Sequence, residues 1–161
     1  IGVAKAYSTR VGSGPFPTEL NNGVGERLRT QGKEFGTTTG RPRRCGWIDM
    51  HALSYACRMG GITDLIVTKL DVLSGFKNLQ MCDGYANISA EKTLTGMSVA
   101  SAVPQYLKVP GWSDDITKTK LFEDLPIESR AYLNEIELHT GIPVDAIGIG
   151  PERDQIIWKN R

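Results

Sequence analysis

Soft metal ligands are scarce in this chain: it holds two histidines, His51 and His139, and three cysteines, Cys45, Cys57 and Cys82. There is no Cys-x-x-Cys pair and no histidine cluster, so a zinc site would have to recruit carboxylates at no recognisable spacing. Three widely spaced cysteines are no disulfide framework either and read as reduced thiols in a cytosolic protein. An excess of charge is also missing. The 19 Lys plus Arg stand against 18 Asp plus Glu, a net charge of +1, which gives no global field for nucleic acid or an anionic membrane. Any anion site must be local. No stretch approaches the roughly eighteen consecutive apolar residues of a membrane span, and the N terminus has no basic, apolar, small-residue export signal. A soluble, cytoplasmic protein is expected, with no nucleic-acid or membrane partner and no metal held by this chain. A Gly-x-x-x-x-Gly-Lys-Ser/Thr loop is likewise absent, so the chain alone is not a complete P-loop protein.

What is present fits one mixed α/β domain of 161 residues. The opening run from Ile1 to Tyr7 reads as a strand already under way, as though a longer protein were entered part-way. Residues 8 to 46 are so rich in glycine, proline, threonine and arginine that they read as loop, with a turn over Gly12-Ser-Gly-Pro-Phe-Pro17. From Ile48 the pattern becomes helical: Ile48, Ala52, Tyr55, Ala56 and Met59 fall on one face, Asp49 suits the positive end, and Gly60-Gly61 stops the helix. Ile62 to Thr68 is a short β-branched run of buried-strand type. Further strands are expected over Asn78–Ala86, broken at Asp83-Gly84, and over Pro104–Val109. Leu125-Pro126 opens a helix with Tyr132, Leu133 and Ile136 on its apolar side and Gly141 as its stop, and Val144–Ile149 is expected to be the last strand.

Three elements carry chemistry. The first is Leu65-Ile-Val-Thr-Lys-Leu-Asp71, an apolar strand running into Thr-Lys-x-Asp. A carboxylate beyond a strand's C-terminal end can accept two parallel hydrogen bonds from the N1 and N2 protons of guanine, a donor pair that adenine lacks. Lys69 can lay its stem along the purine face. The bland alternative is a pair of solvated charges after a strand. The second element, Thr37-Thr-Thr-Gly-Arg-Pro-Arg-Arg44, packs three hydroxyls and three guanidiniums into eight residues and reads as an anion-binding loop. Its alternatives are a solvated basic turn or a nonspecific nucleic-acid contact. The third, Ile147-Gly-Ile-Gly-Pro-Glu-Arg153, ends a strand in glycines that let backbone approach a flat base, and by itself suits a plain turn equally well.

In combination these blocks resemble a known family. Val11-Gly-Ser-Gly-Pro-Phe-Pro-Thr-Glu-Leu20, Glu34-Phe-Gly-Thr-Thr-Thr-Gly-Arg-Pro-Arg-Arg-Cys-Gly-Trp-Ile-Asp49, Thr68-Lys-Leu-Asp-Val-Leu73, Pro110-Gly-Trp112 and Gly150-Pro-Glu-Arg153 resemble, in order and spacing, the C-terminal part of the adenylosuccinate synthetases. The resemblance implies a mixed sheet with flanking helices and long functional loops, the C-terminal portion of a larger P-loop-like, GTP-dependent ligase. It divides residues 1–161 into an aspartate and IMP loop region, 8–46, and a guanine-binding α/β region, 47–161. The implied reaction joins IMP and L-aspartate at the expense of GTP, with Mg²⁺, on the route to AMP. A base removes the N1 proton of IMP, O6 attacks the γ-phosphorus, and the aspartate amine then displaces the phosphate.

By motif, the resemblance assigns Val11, Thr37, Thr38, Thr39, Gly40, Arg41, Pro42 and Arg43 to the aspartate-binding surface, with Arg41 also reaching the IMP ribose. Arg43, Lys69, Leu70, Asp71, Gly148, Ile149 and Gly150 are assigned to GTP. Some relatives carry serine at the position of Gly148, so a side-chain hydrogen bond from there is lost. The family's base and metal-binding Gly-Asp-Glu-Gly-Lys-Gly-Lys segment and its acid histidine do not occur in this chain. No catalytic residue is therefore assigned, and His51 and His139 read as helix-surface or core residues. The expected full-length protein is a homodimer, and this portion is expected to be inactive alone. The competing reading is a stand-alone guanine-nucleotide-binding module without catalysis.

Overall fold

The structure, a computed structural model, describes residues 1–88 and 96–159. Along the chain, β1 (Gly2–Lys5) and β2 (Ser8–Arg10) precede α1 (Gly23–Gln31). β3 (Arg44–Gly46) and β4 (Ile48–Asp49) lead into α2 (Met50–Gly60), followed by β5 (Leu65–Thr68), β6 (Asn78–Tyr85), α3 (Gly96–Ala100) and β7 (Pro104–Pro110). The chain continues through α4 (Ile127–Thr140), β8 (Val144–Gly148) and β9 (Ile156–Trp158).

Among the described residues the strands form three sheets. The largest has the order β1-β5-β8-β9, with the first three strands parallel and β9 antiparallel to β8. In β8, Val144, Ala146 and Ile147 are all buried, the near-continuous apolar run of a strand covered on both faces. A two-stranded ribbon pairs β2 with β3, and a third sheet has the order β4-β6-β7. Its β6–β7 ladder shifts register between Cys82 and Gly84, where the sequence places its break. The fold is the mixed α/β arrangement expected.

Helix α4 turns Tyr132, Leu133 and Ile136 into the core, starts after Pro126 and ends on a left-handed Gly141. The Tyr132 hydroxyl donates 2.6 Å to the Ala6 carbonyl, fastening the helix to the chain just after β1. Helix α2 is capped by Asp49, whose carboxylate accepts from the Ala52 amide at 2.9 Å, and ends at a left-handed Gly61.

Four expectations need correction. Residues 8 to 46 are not loop throughout: α1 forms there because the Asn22 side chain accepts from the Val24 and Gly25 amides. Its glycine is no defect, since a Cβ on Gly25 would sit 1.9 Å from the Leu20 carbonyl oxygen. The inward stripe of α2 is Met50, Leu53 and Cys57, whereas Ala56 and Met59 are exposed, because Ile48 and Asp49 belong to β4 and the helix starts later. Strand β5 begins at Leu65 rather than Ile62. Val144–Ile149 is not the last strand, because the chain reverses and Ile156–Trp158 adds β9.

Candidate functional site

The end of β5 builds one wall of a cavity of about 160 Å³. Lys69, directly after the strand, is left-handed at φ 61°, an unusual conformation for a residue with a side chain. The reversal sends its ammonium back toward α1, where it donates to the Gly32 carbonyl and lies 3.5 Å from a Glu34 carboxylate oxygen. A 3-10 turn over Leu70–Leu73 follows, with both leucines fully buried as anchors. Between them Asp71 faces the cavity, which Gly32, Lys33, Lys69, Gly150 and Pro151 also line. One Asp71 carboxylate oxygen is buried and has no hydrogen-bond partner. Burial raises its pKa above the usual value, opposed by the nearby Lys69 ammonium. An unsatisfied buried acceptor on a cavity wall fits a ligand that brings donors.

The glycine-ended β8 closes the same region. A Cβ on Gly148 would lie 3.3 Å from the Thr68 Cα, a tight contact that β5 would meet by giving a few tenths of an ångström. Ile149 and Leu70 point into the core, which leaves only their backbone for any ligand. The Ile149 amide is already used, donating to the Gln155 carbonyl at 2.9 Å. Gly150 packs against the Gln155 side chain, which a Cβ would strike at 2.1 Å.

The threonine and arginine loop forms a second cavity, also about 160 Å³, lined by Val11, Gly12, Thr39, Arg41, Pro42 and Arg43 among others. A Phe35–Pro42 bridge closes the loop's base, the Gly36 amide donates to the Arg41 carbonyl, and the Gly40 amide donates to the Gly36 carbonyl. Gly40 is left-handed at φ 63°. Thr37, Thr38 and Arg41 are exposed, and of the three threonines Thr39 lies on the cavity wall. Arg44 is committed elsewhere: it grips Glu19 through two hydrogen bonds of 2.7 and 2.5 Å and also donates to the Gly12 and Gly14 carbonyls. It fixes the Gly-Ser-Gly turn rather than offering a charge to a ligand.

Glu34 connects the two cavities. Its side chain has no exposed surface, yet it accepts from Tyr7 at 2.6 Å, Lys5 at 2.7 Å and Arg43 at 2.8 Å. Burial opposes its charge, but the hydrogen bonds from Lys5, Tyr7 and Arg43 outweigh that and hold its pKa at about 2. Sequence reasoning used Glu34 as the start of a motif and gave it no role. Its hydrogen-bond donors lie 9 to 29 residues away, and no local pattern announces them.

The adenylosuccinate synthetase family model matches residues 1–157. The chain belongs to the adenylosuccinate synthetase family. It is 49% identical over 160 residues to the adenylosuccinate synthetase of Syntrophomonas wolfei and 51% identical over 160 residues to that of Carboxydothermus hydrogenoformans, covering 98% of this chain in each case. Among solved structures, the fully ligated adenylosuccinate synthetase of Plasmodium falciparum superposes with a TM-score of 0.92 at 40% identity over 98% of this chain. The chain spans 38% of the length of those two bacterial relatives and 39% of the Plasmodium chain.

Adenylosuccinate synthetases are ligases of purine biosynthesis, and the family implies GTP and Mg²⁺. Among the described residues no three His, Cys, Asp or Glu side chains converge as a metal site. Neither histidine lines either cavity. His51 stacks edge-on against Tyr85 at 5.0 Å, and His139 sits 3.0 Å from the Glu135 carbonyl. The three cysteines are free and buried, with burial pushing the Cys82 pKa up to about 12. Among the described residues no helix is long and apolar enough to cross a membrane.

Proposed function

We propose that this chain is the part of a GTP-dependent ligase that holds the guanine base and the carboxylates of L-aspartate while IMP is converted to adenylosuccinate, GDP and phosphate. The observation that carries the proposal is the buried Asp71 oxygen without a partner, on a cavity wall beside Lys69. The N1 and N2 protons of guanine satisfy it and favour its charged form, whereas adenine brings no such pair. Lys69 is half-buried and already held by Gly32 and Glu34, which leaves its stem to cover the purine face. Gly148 to Gly150 offer backbone to the same base.

Thr39 on the wall of the second cavity and Thr38 on the exposed loop beside it donate to an aspartate carboxylate, and Arg41 adds a bidentate grip that extends to the IMP ribose. Thr37, Gly40 and Pro42 shape the loop, and Val11 lines the same cavity. Arg43, held by Glu34 at 2.8 Å, lines this cavity and serves the aspartate carboxylate and GTP together. The substrate carboxylates and phosphates bring the negative charge that these guanidiniums attract.

This chain's residues bind and orient. The proton transfers at IMP N1 and O6 belong to a base and an acid from the remaining part of the family protein, and the portion described here is inactive alone. Mg²⁺ supplies charge neutralisation to phosphates when bound. No residue here is assigned to hold it, and no step is drawn through it. The working protein is proposed to be a homodimer in the cytoplasm, a setting in keeping with three free thiols.

Calorimetric titration of the chain with GDP, with ADP as control, tests the base assignment. GDP binding that ADP does not match is expected. Equal affinity for the two would contradict a guanine site at Asp71.

A further inference from the structure

We infer that Glu34 is a positioning residue that ties the guanine pocket to the aspartate loop, so that its charge sets the affinity of both pockets while it touches neither ligand. The inference rests on the functional reading above. Glu34 lines neither cavity and is fully buried, so no ligand reaches it.

The two arms of its contact set end in different sites. One carboxylate oxygen accepts from Tyr7 and Lys5 and lies 3.5 Å from the Lys69 ammonium; the other accepts from Arg43 at 2.8 Å. Lys69 and Arg43 retain side-chain exposures of 36% and 32%, so each is held at one end and open to its own cavity. Lys5, at 2.7 Å the nearest cation, and the Tyr7 hydroxyl complete the shell, so Lys69 and Arg43, the cations of the two pockets, share one carboxylate with Lys5.

The backbone supports the same reading. Among the described residues Lys33 and Lys69 are the two non-glycine residues with positive φ, at 50° and 61°, and they flank this contact. Strained conformations of this kind persist where surrounding contacts hold them. Lys33 turns the chain out of α1 so that Glu34 points inward, with its amide donating to the Arg29 carbonyl and its carbonyl accepting from the Arg43 amide. One residue thus fixes both the side chain and the backbone of the loop carrying Arg43.

A shared counter-charge produces coupling. A ligand anion that draws Arg43 outward leaves more of the Glu34 charge to Lys69, and a base that fixes Lys69 alters what Arg43 can offer. Such coupling is reciprocal by thermodynamic necessity.

The test is steady-state kinetics of the full-length ligase carrying Glu34→Gln, which keeps the shape and removes the charge, with thermal melting alongside. The KM values for GTP and for L-aspartate are both expected to rise, each by roughly tenfold, the scale of one charge-assisted hydrogen bond. A purely structural role would lower the melting temperature and scale kcat with the folded fraction, leaving both KM values unmoved. That result would overturn the inference. If Glu34→Gln does not fold, Glu34→Asp carries the test, since it keeps the charge but draws it back by one methylene: a rise in both KM values supports the inference and no rise overturns it. Absence of ligation by the unmodified full-length protein would instead overturn the functional reading, and the inference with it.

Discussion

Replacing Asp71 by Asn separates folding from recognition. One carboxylate oxygen of Asp71 is buried without a partner in the protein, and burial raises the pKa. A group whose pKa is raised in the fold contributes stability that is present at low pH and lost as pH rises through that pKa. Its charge is therefore a burden near neutrality, and Asp71→Asn is expected to leave the melting temperature unchanged or higher. With guanine bound the balance reverses. Two hydrogen bonds to a charged acceptor are worth about 1.5–3 kcal/mol each. Asparagine keeps one acceptor and turns its amide toward the second guanine donor, so the loss is about 3–4 kcal/mol, or two to three decades in affinity. Xanthine carries a carbonyl where guanine carries the amino group, and the new amide donates to it. The assay is KM for GTP and XTP in the full-length protein, together with melting. GTP is expected to weaken by about two decades or more while XTP gains. Unchanged KM for GTP, or a GTP loss accompanied by an equally large fall in stability, would refute the reasoning.

Other outcomes follow from the same contacts. Glu34 has its pKa lowered from 4.5 to about 2, so its contribution is complete above 4.5 and lost as pH falls toward 2. About 3 kcal/mol of stability is expected to vanish across that window, read as a falling denaturation midpoint. For Gly25→Ala two effects oppose: alanine gains about 1 kcal/mol of helix propensity, but its Cβ overlaps the Leu20 carbonyl oxygen at 1.9 Å. The overlap with backbone wins, and a net loss of about 1–3 kcal/mol is expected in chemical denaturation. Tyr132→Phe deletes the buried 2.6 Å hydrogen bond to the Ala6 carbonyl. It is expected to cost about 1–3 kcal/mol and to lower the melting temperature measurably.

Helices and strands that satisfy their own local rules were legible in the sequence. Tyr132, Leu133 and Ile136 with the Gly141 stop mark α4, and Asp49 with Gly60-Gly61 brackets α2. Elements that depend on distant partners were not. Helix α1 carries Gly23 and Gly25, poor helix formers, and exists because Asn22 caps it and the Leu20 carbonyl needs the space that Gly25 leaves. The α2 stripe was misread because Ile48 is apolar for the sake of β4. For the candidate site, a strand running into Thr-Lys-x-Asp pointed to Asp71, whose lack of a partner became visible only in three dimensions. Three arginines looked alike in the loop sequence, yet Arg44 is held by Glu19, Arg43 by Glu34, and Arg41 is exposed on the cavity wall. Distinguishing them requires knowing which carboxylates the fold brings near, and Glu34 was hidden for the same reason.

The most direct test of the central claim is turnover by the full-length protein with IMP, L-aspartate and Mg²⁺, comparing GTP with ATP as the phosphate donor. The account predicts adenylosuccinate formation that requires IMP and L-aspartate and is supported by GTP far better than by ATP. Formation supported equally by ATP would contradict a guanine site built on Lys69 and Asp71, and no formation with either nucleotide would contradict the ligase itself.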